Sequence, residues 1–498
     1  MTPIDRLDSK TLHTPVAVAL QHGFATRVLR SVYWQGSGQL LAQAISWVAT
    51  LVVIRLLSPA DYGLMAMVML FVNFMLLVAD LGVSSALVQA KEVESRHYQQ
   101  VLGVIIVTNV IAAGVTFLGA PLVAAFFDDP RITLLVRVLS LNFLVCAISS
   151  LSQARVIREL DFRVKSVVDV SATVGGAVAS LLVAFGGGGV WALVIGLLAQ
   201  NLVRAVGYLM ASPLRIWPVI SLQSLSPMLQ FGALVSVDRI LFFFYGNVDS
   251  VLAGKVLGEA SLGLYTLALT LAALPLQKVV PTLTQVSFAA FARIQDEPER
   301  VRRNLLRAVR LVSAAAFPAV FGMAVVAPVM VPLILGDRWA AVIVPFQVIC
   351  LILPLRSLSA VISTALLGTG RAGVNLGNML LSLALMSGAF WVGVQYGVLG
   401  LALSWAIMFP IVFLITTWFS LRALAIRGRD LVTSLAPSIL FSVVMSLTVL
   451  VVDQTLPAGF DGWFRLGILI LAGSVVYVGG LYLSDRQLTH DLRVAFSG

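Results

Sequence analysis

Residues 247–265 of the sequence are Asn-Val-Asp-Ser-Val-Leu-Ala-Gly-Lys-Val-Leu-Gly-Glu-Ala-Ser-Leu-Gly-Leu-Tyr, and they join two apolar stretches. The stretch before them contains four consecutive aromatic residues, 242–245, and the stretch after them contains Pro275 and Pro281. Glycine adopts the backbone angles of tight turns, and each flank is long enough to cross a bilayer as a helix. We therefore predict a membrane hairpin whose turn is marked by Gly258 and Gly263.

An earlier segment of the chain is similar to this turn. Residues 55–64 are Arg-Leu-Leu-Ser-Pro-Ala-Asp-Tyr-Gly-Leu, and residues 255–264 are Lys-Val-Leu-Gly-Glu-Ala-Ser-Leu-Gly-Leu. Four of the ten positions are identical, the first position is basic in both segments, and the offset is 200 residues. A second similarity pairs Gly189-Val190 with Gly397-Val398 at an offset of 208. Two similarities at nearly the same offset predict an internal duplication.

The composition is that of a membrane protein with almost no soluble part. Hydrophobic residues make up 59% of the chain and charged residues 11%, with a mean hydropathy of +0.99. A soluble domain has about 25% charged residues. Both cysteines lie in apolar runs and the four histidines lie outside them. We therefore expect no disulfide framework, no metal site and no cofactor.

The fold predicted from these patterns is all-α, a polytopic integral membrane protein with about 14 transmembrane helices. A span needs about 20 apolar residues, and the predicted spans are 38–57, 63–88, 100–126, 132–154, 165–185, 189–210, 228–250, 261–287, 311–335, 341–366, 374–394, 398–420, 433–452 and 464–483. The repeat contains six spans, an even number, so both copies enter the membrane in the same direction. Two six-helix bundles should then be related by a pseudo-two-fold axis along the membrane normal.

The predicted domains follow from this repeat. They are a cytoplasmic tail with an interfacial helix (1–37), an N-terminal six-helix bundle (38–210), a cytoplasmic linker (211–227), a C-terminal six-helix bundle (228–423), and two extra helices with a cytoplasmic tail (424–498). With the N-terminus inside, and with the charges near span ends (Arg55, Lys165, Arg204 and Arg465) counted with the adjoining loops, 24 of the 33 Lys and Arg residues lie inside, 5 outside and 4 within spans. The positive-inside rule therefore places both termini in the cytoplasm. It also accounts for the net charge of +10 without a nucleic-acid partner.

Charged residues within spans are candidates for a binding cavity, because each costs roughly 2.5–3.5 kcal/mol at the bilayer centre. The cationic candidates are Arg239, Arg356, Lys278 and Arg137. The acidic and polar candidates are Asp80, Asn73, Asp238, Asn247 and Asp249. We predict a water-filled central cavity with a cationic patch for an anionic ligand. Buried ion pairs between spans, or side chains that extend to the membrane surface, are the alternative, and Asn247 with Asp249 has the further alternative of fixing the outer hairpin.

The glycines and turn residues of the two repeated segments form motifs. They are Asn247-x-Asp249-x4-Gly254-x3-Gly258-x4-Gly263-x-Tyr265, then Pro275 and Phe288-x2-Phe291-x-Arg293, and the earlier Arg55-Leu-Leu-Ser-Pro-x-Asp-Tyr-Gly63. The motifs and the fourteen-span plan resemble the polysaccharide flippases of the multidrug/oligosaccharidyl-lipid/polysaccharide (MOP) exporter superfamily. The resemblance covers nearly the whole chain and identifies architecture better than substrate. The chain length and the overall sequence pattern resemble the exopolysaccharide branch of these flippases, which includes the xanthan-type exporter.

The resemblance implies a lipid flippase, not an enzyme, in the inner membrane of a bacterial cell. Its substrate would be an oligosaccharide repeat unit on undecaprenyl diphosphate, moved from the cytoplasmic to the periplasmic leaflet by alternating access. Related flippases bind the diphosphate with cationic cavity residues, a role that falls by position on Arg239 and Arg356. Coupling to H⁺ or Na⁺ through Asp80, Asp238 or Asp249, or to the membrane potential, stays open. Membrane lipids and a polysaccharide polymerase or export machinery are the other expected partners.

Two other classes of protein remain as alternatives. A cation-coupled multidrug exporter of the same superfamily would share the fold, but its cavity for cationic drugs should be acidic. A membrane polysaccharide polymerase would need acceptor chemistry in a sizeable outer loop, whereas the predicted outer loops are short.

Overall fold

The computed structural model describes residues 41–80, 95–158, 161–213, 219, 226–277, 279–457 and 459–484, and every regular element in these ranges is helical. The helices are α1 (Leu41–Leu56), α2 (Pro59–Asp80), α3 (Ser95–Phe127), α4 (Arg131–Arg158), α5 (Phe162–Phe185), α6 (Trp191–Ala211), α7 (Ser226–Leu252), α8 (Gly258–Ala273), α9 (Val279–Arg293), α10 (Pro298–Leu335), α11 (Ile343–Gly368), α12 (Ala372–Gly393), α13 (Gly397–Ala423), α14 (Gly428–Thr455) and α15 (Gly462–Ser484). Short π-helical and 3₁₀ turns join α7 to α8 and α10 to α11.

The helices have the length and composition of membrane spans. In the described part of the chain, eleven helical stretches are long and apolar enough to cross a membrane, and α1 is a shorter apolar helix. Two of these stretches, Arg239–Ala273 and Ala372–Ala423, each contain residues of two helices. The all-α, multi-pass membrane fold is thus confirmed, and the number of fourteen spans stays a prediction. The tail with its interfacial helix (1–37) and most of the linker lie outside the described residues.

The predicted span 261–287 is broken into two helices. The first, α8, ends at Ala273, and α9 begins at Val279 after a turn. Pro275 lies in this turn, where it cannot supply the N–H that a continuous helix would use. Pro281 lies in the first turn of α9, where an N–H has no partner within the helix. Lys278, a predicted cavity cation, lies outside the described residues.

The chain separates into two compact units. The first unit is Met1–Val53, Met75–Ala120 and Thr133–Val237. The second unit is Ile54–Phe74, Pro121–Ile132 and Asp238–Gly498. The second unit therefore includes two segments of the predicted N-terminal bundle, and the predicted domain ranges stay predictions.

In the first unit, α5 and α6 share a polar cluster around Asp169. This carboxylate lies 2.6 Å from Lys165 Nζ, one turn earlier on α5, and 3.4 Å from Arg204 Nε on α6. The Tyr208 hydroxyl also donates to it, at 3.4 Å. Charges inside a membrane bundle usually pair with one another. The one carboxylate thus pairs with two cations and joins the two helices.

In the second unit, α14 and α15 pack against α10 through apolar clusters and a few hydrogen bonds. Met445 of α14 and Tyr477 of α15 lie in one buried cluster, which Leu311 of α10 also joins. The Tyr477 hydroxyl donates to the carbonyl of Ala314 at 2.9 Å. At the start of these helices, Arg302 forms a 2.9 Å ion pair with Asp430. The two C-terminal helices, which lie outside the repeat, are therefore anchored on one long helix.

The two repeated glycines of the second unit make reciprocal contacts. A Cβ added to Gly63 would lie 1.7 Å from the carbonyl oxygen of Glu259. A Cβ added to Gly263 would lie 1.9 Å from the carbonyl oxygen of Pro59. The four residues are two pairs at the repeat offset of 200, so each copy of the turn makes the same contact with the other. Such reciprocity is what a two-fold axis between the copies produces, and it supports the internal duplication.

Ion pairs and an indole hydrogen bond surround this contact. Lys255 Nζ lies 2.6 Å from Asp128, and Arg131 pairs with both Asp129 and Glu259. The hydrogen bonds from Arg131 hold the pKa of Asp129 below its usual value. In addition, the indole of buried Trp339 donates to the carbonyl of Ile54 at 3.0 Å. The repeated turns are therefore held by both backbone packing and charge.

Candidate functional site

A cavity of about 450 Å³ lies inside the second unit, between α7, α11, α12 and α13. We call it the α11–α13 cavity. Its aromatic lining comes from Phe242, Tyr245 and Phe409, and its polar lining comes from Arg356, Ser359, Ser363, Asn375, Asn378, Ser382, Thr416, Thr417 and Ser420. Among the described residues that line it, Arg356 is the one charged side chain. The volume is in the range of small-molecule sites, roughly 300–1,000 Å³.

Arg356 is held against an aromatic ring. Its guanidinium carbon lies 4.4 Å from the centroid of the Trp405 ring, which is a cation–π distance. A guanidinium stacked by its face keeps the N–H groups of its edge available for a planar anion. The side chain is half-buried, so it combines access with partial removal from water. This arrangement can bind a phosphate or a carboxylate through paired hydrogen bonds.

A buried hydrogen-bond network holds the Trp405 ring at its indole N–H. The carboxyl group of Asp249 is 2% exposed and accepts from the Tyr265 hydroxyl at 2.7 Å and from the backbone N–H of Ser250 at 2.7 Å. The indole N–H of Trp405 is shared between the Tyr265 oxygen, at 2.8 Å, and the Asp249 carboxyl, at 3.3 Å. Asp249 thus orients Trp405, and Trp405 in turn positions Arg356.

We expect Tyr265→Phe to destabilise the protein by about 1–3 kcal/mol, because it removes one donor from a fully buried carboxyl group without changing the ring. Tyr477→Phe is the matched control, since its hydroxyl donates to a backbone carbonyl in the same unit. That control should cost only about 0.5–1.5 kcal/mol. Thermal unfolding of both variants in detergent measures the difference. Equal losses in the two variants would show that the Asp249 network has no special weight.

The other predicted site residues are distributed over several elements. Arg239 is half-buried on α7 and Asn73 is exposed on α2, and the described lining of the cavity includes neither. The amide of Asn247 donates to the carbonyl of Phe243 at 2.8 Å, which is a local bond within α7. Arg137 belongs to the first unit, where its guanidinium lies 5.0 Å from the Phe117 ring centroid. The helices that contain Asp80 and Asp238 are described, but their side chains lie outside the described part.

The polar residues of α12 and α13 were not predicted from the sequence. Asn375, Asn378 and Ser382 lie at helical spacings of three and four on α12. Thr416 and Ser420 lie four apart on α13. Residues at these spacings share one face of a helix. Uncharged polar residues that repeat along one face of an apolar span were therefore the available signal.

Comparison with known proteins identifies the family. The sequence profile of a family described as "Polysaccharide biosynthesis protein" matches residues 52–344. The chain is 26% identical over 355 residues to the lipopolysaccharide biosynthesis protein WzxC of Escherichia coli, which covers 70% of this chain and 71% of WzxC. It is 24% identical over 410 residues to the teichuronic acid biosynthesis protein TuaB of Bacillus subtilis, which covers 81% of this chain and 85% of TuaB.

Two solved structures share the fold. The lipid II flippase MurJ, in its inward closed conformation, matches with a TM-score of 0.70 and 14% identity, covering 90% of this chain and 98% of MurJ. An inward-facing multidrug resistance transporter of the MATE family and MOP superfamily matches with a TM-score of 0.61 and 16% identity, covering 77% and 94% of the two chains. At these identities the two likenesses show a shared fold. The chain belongs to the polysaccharide biosynthesis protein family and has the fold of the MOP exporter superfamily.

Proposed function

We propose that this protein is a flippase that moves an undecaprenyl-diphosphate-linked oligosaccharide repeat unit from the cytoplasmic to the periplasmic leaflet for surface polysaccharide assembly. The observation that supports it most directly is the α11–α13 cavity, which combines one stacked arginine with amides and hydroxyls. The arginine suits the diphosphate, and the uncharged polar groups suit sugar hydroxyls. The names of WzxC, TuaB and the succinoglycan transport protein ExoT of Rhizobium meliloti support a polysaccharide precursor as cargo.

The proposed mechanism is alternating access, with residues 38–210 moving against residues 228–423. Both termini are cytoplasmic in this proposal. The diphosphate binds at Arg356, the sugars lie against polar side chains, and the lipid tail stays in the bilayer. A diphosphate linkage carries about two negative charges. Outward movement through an inside-negative potential of about 100 mV would release roughly 4–5 kcal/mol.

Two energy sources are proposed as alternatives. One is the membrane potential alone, and the other is coupling to H⁺ or Na⁺ through Asp80, Asp238 or Asp249. Membrane lipids and a polysaccharide polymerase or export machinery remain the proposed partners in the cell.

The test is the sidedness of the lipid-linked saccharide in cells depleted of the protein. Depletion should leave the saccharide on the cytoplasmic leaflet, because the step that moves its sugars across the bilayer is lost. The measurement is the fraction that an added glycan-modifying enzyme reaches in intact spheroplasts. Complementation with the wild-type chain is the control and should restore that fraction.

Two outcomes would contradict the proposal. Normal arrival of the saccharide outside, without chain growth, would indicate a polymerase. Normal arrival together with normal chain growth would leave the multidrug exporter as the better assignment.

A further inference from the structure

The two asparagines of the α11–α13 cavity are each fixed by a neighbouring helix. Ser420 Oγ donates its one proton to the carbonyl of Thr416 at 2.7 Å, so it can only accept from Asn378 Nδ2, at 2.9 Å. The same nitrogen also donates to the Thr416 carbonyl at 3.3 Å. Because both neighbours accept, the nitrogen of Asn378 must face α13. Its side-chain oxygen, Oδ1, accepts no hydrogen bond within the described part of the chain, whereas its backbone carbonyl accepts from Ser382 Oγ at 2.7 Å.

Asn375 has the opposite arrangement. The Ser363 hydroxyl of α11 donates to Asn375 Oδ1 at 2.7 Å. The carbonyl end of this amide is therefore engaged, and no described residue accepts from its nitrogen. Asn375 and Asn378 are three residues apart on α12, so their side chains are neighbours on one face. The cavity wall thus presents two free donors and a free acceptor, one turn apart.

Two free donors beside a free acceptor suit the hydroxyl groups of a sugar better than they suit a cation or an apolar ligand. Each hydroxyl of a pyranose both donates and accepts, so two adjacent hydroxyls can pair with a donor and an acceptor. The rings of Phe242 and Tyr245, whose centroids are 6.4 Å apart, line the same cavity. Aromatic faces pack well against the apolar C–H face of a sugar ring. The described lining contains no carboxylate that would attract a cation.

The distance from Arg356 to the two asparagines determines which sugar of the cargo they contact. Ser363 follows Arg356 by two helical turns on α11, an axial distance of about 10 Å. A sugar attached directly to a diphosphate at Arg356 would lie within that distance. Resting on the proposed function, we propose that Asn375 and Asn378 form a saccharide subsite that selects the sugar next to the diphosphate.

The experiment uses the purified full-length protein in liposomes with a panel of undecaprenyl diphosphates. One lipid has no sugar, and the others carry a single glucose, galactose, N-acetylglucosamine or N-acetylgalactosamine. The readout is the ratio between the fastest and the slowest of the sugar-bearing lipids. We expect this ratio to exceed about tenfold for the wild type and to fall to within about threefold for Asn375→Leu and Asn378→Leu, since each loses a hydrogen bond to the sugar. The rate for the sugar-free lipid should stay within about twofold in both variants.

Two further variants keep the result interpretable. Asn375→Asp retains the acceptor for Ser363 and removes both free donors, so it tests the subsite even if a leucine prevents folding. Thr448→Val is the control, because Thr448 lies on α14 outside the cavity lining, and among the described residues its hydroxyl donates to its own helix, at the carbonyl of Val444. It should keep the wild-type ratio.

The outcomes separate the subsite from the flippase itself. An unchanged ratio in the asparagine variants would overturn the subsite, and so would an equal loss of the sugar-free lipid. Both results leave the flippase in place. If the wild type moves no lipid of the panel, the proposed function fails, and the subsite fails with it.

Discussion

Arg356→Glu is expected to lower translocation of an undecaprenyl-diphosphate-linked saccharide at least about 100-fold. The substitution removes the paired hydrogen bonds of the guanidinium, each worth about 1.5–3 kcal/mol with a charged partner. It also places a negative charge beside the anionic diphosphate, which repels it. Since about 1.4 kcal/mol corresponds to a factor of ten, the loss of two such bonds alone reaches this magnitude. The initial rate in proteoliposomes, normalised to the amount of folded protein, measures it.

The chain offers a matched control for this variant. Arg422 also lies on a tryptophan, with its guanidinium carbon 5.5 Å from the Trp418 ring centroid, but it is outside the cavity lining. Arg422→Glu introduces the same change of charge at the end of α13 and should retain the wild-type rate. Arg356→Lys should be intermediate, because a lysine keeps the charge but not the planar fork. If the Arg356→Glu protein transports normally, the diphosphate does not bind in this cavity.

The same variant distinguishes the two transporter classes. A multidrug exporter with this fold would gain affinity for cationic drugs when an acid replaces Arg356. A flippase for a diphosphate-linked saccharide would lose activity and gain none. Arg239→Glu is a parallel test of the second predicted cation, which lies on α7 and whose role stays a prediction.

The helical fold and the duplication could be predicted from the sequence because their signals are local. Long apolar runs show the spans, and the turns at 55–64 and 255–264 show the repeat. The reciprocal contact of Gly63 and Gly263 could not be predicted, because it depends on how the two turns pack. The break of the predicted span 261–287 was visible as Pro275, but a proline in a membrane helix is equally compatible with a kink.

Only part of the candidate site had a signal in the sequence. Arg356 was predicted because a charge in an apolar span is costly. Trp405 and Tyr265 were not, because an aromatic residue in a membrane helix is ordinary. Their hydrogen bond also joins residues 140 positions apart. The free donors and the free acceptor of Asn375 and Asn378 could not be predicted, because the partners that orient each amide lie on other helices.

Gly63→Ala and Gly263→Ala are each expected to destabilise the protein by about 3 kcal/mol or more. Forced overpacking usually costs 1–3 kcal/mol, and here the new methyl would meet a backbone carbonyl oxygen at 1.7 or 1.9 Å. A backbone carbonyl cannot rotate away as a side chain does, so the two turns would have to separate. Thermal unfolding of the purified protein in detergent measures the loss.

The reciprocal geometry also predicts how the stability losses of the two substitutions combine. Both substitutions would separate the same two turns, so the second should cost little once the first is present. The double variant should therefore lose clearly less stability than the sum of the single variants, as expected for sites that share one contact. Gly388→Ala is the control, because within the described residues no atom outside its own local helix lies within 4 Å of the added Cβ. Its stability should stay level or rise by up to about 1 kcal/mol. Strict additivity of the two substitutions, or single losses no larger than that of Gly388→Ala, would contradict a shared contact between the repeated turns.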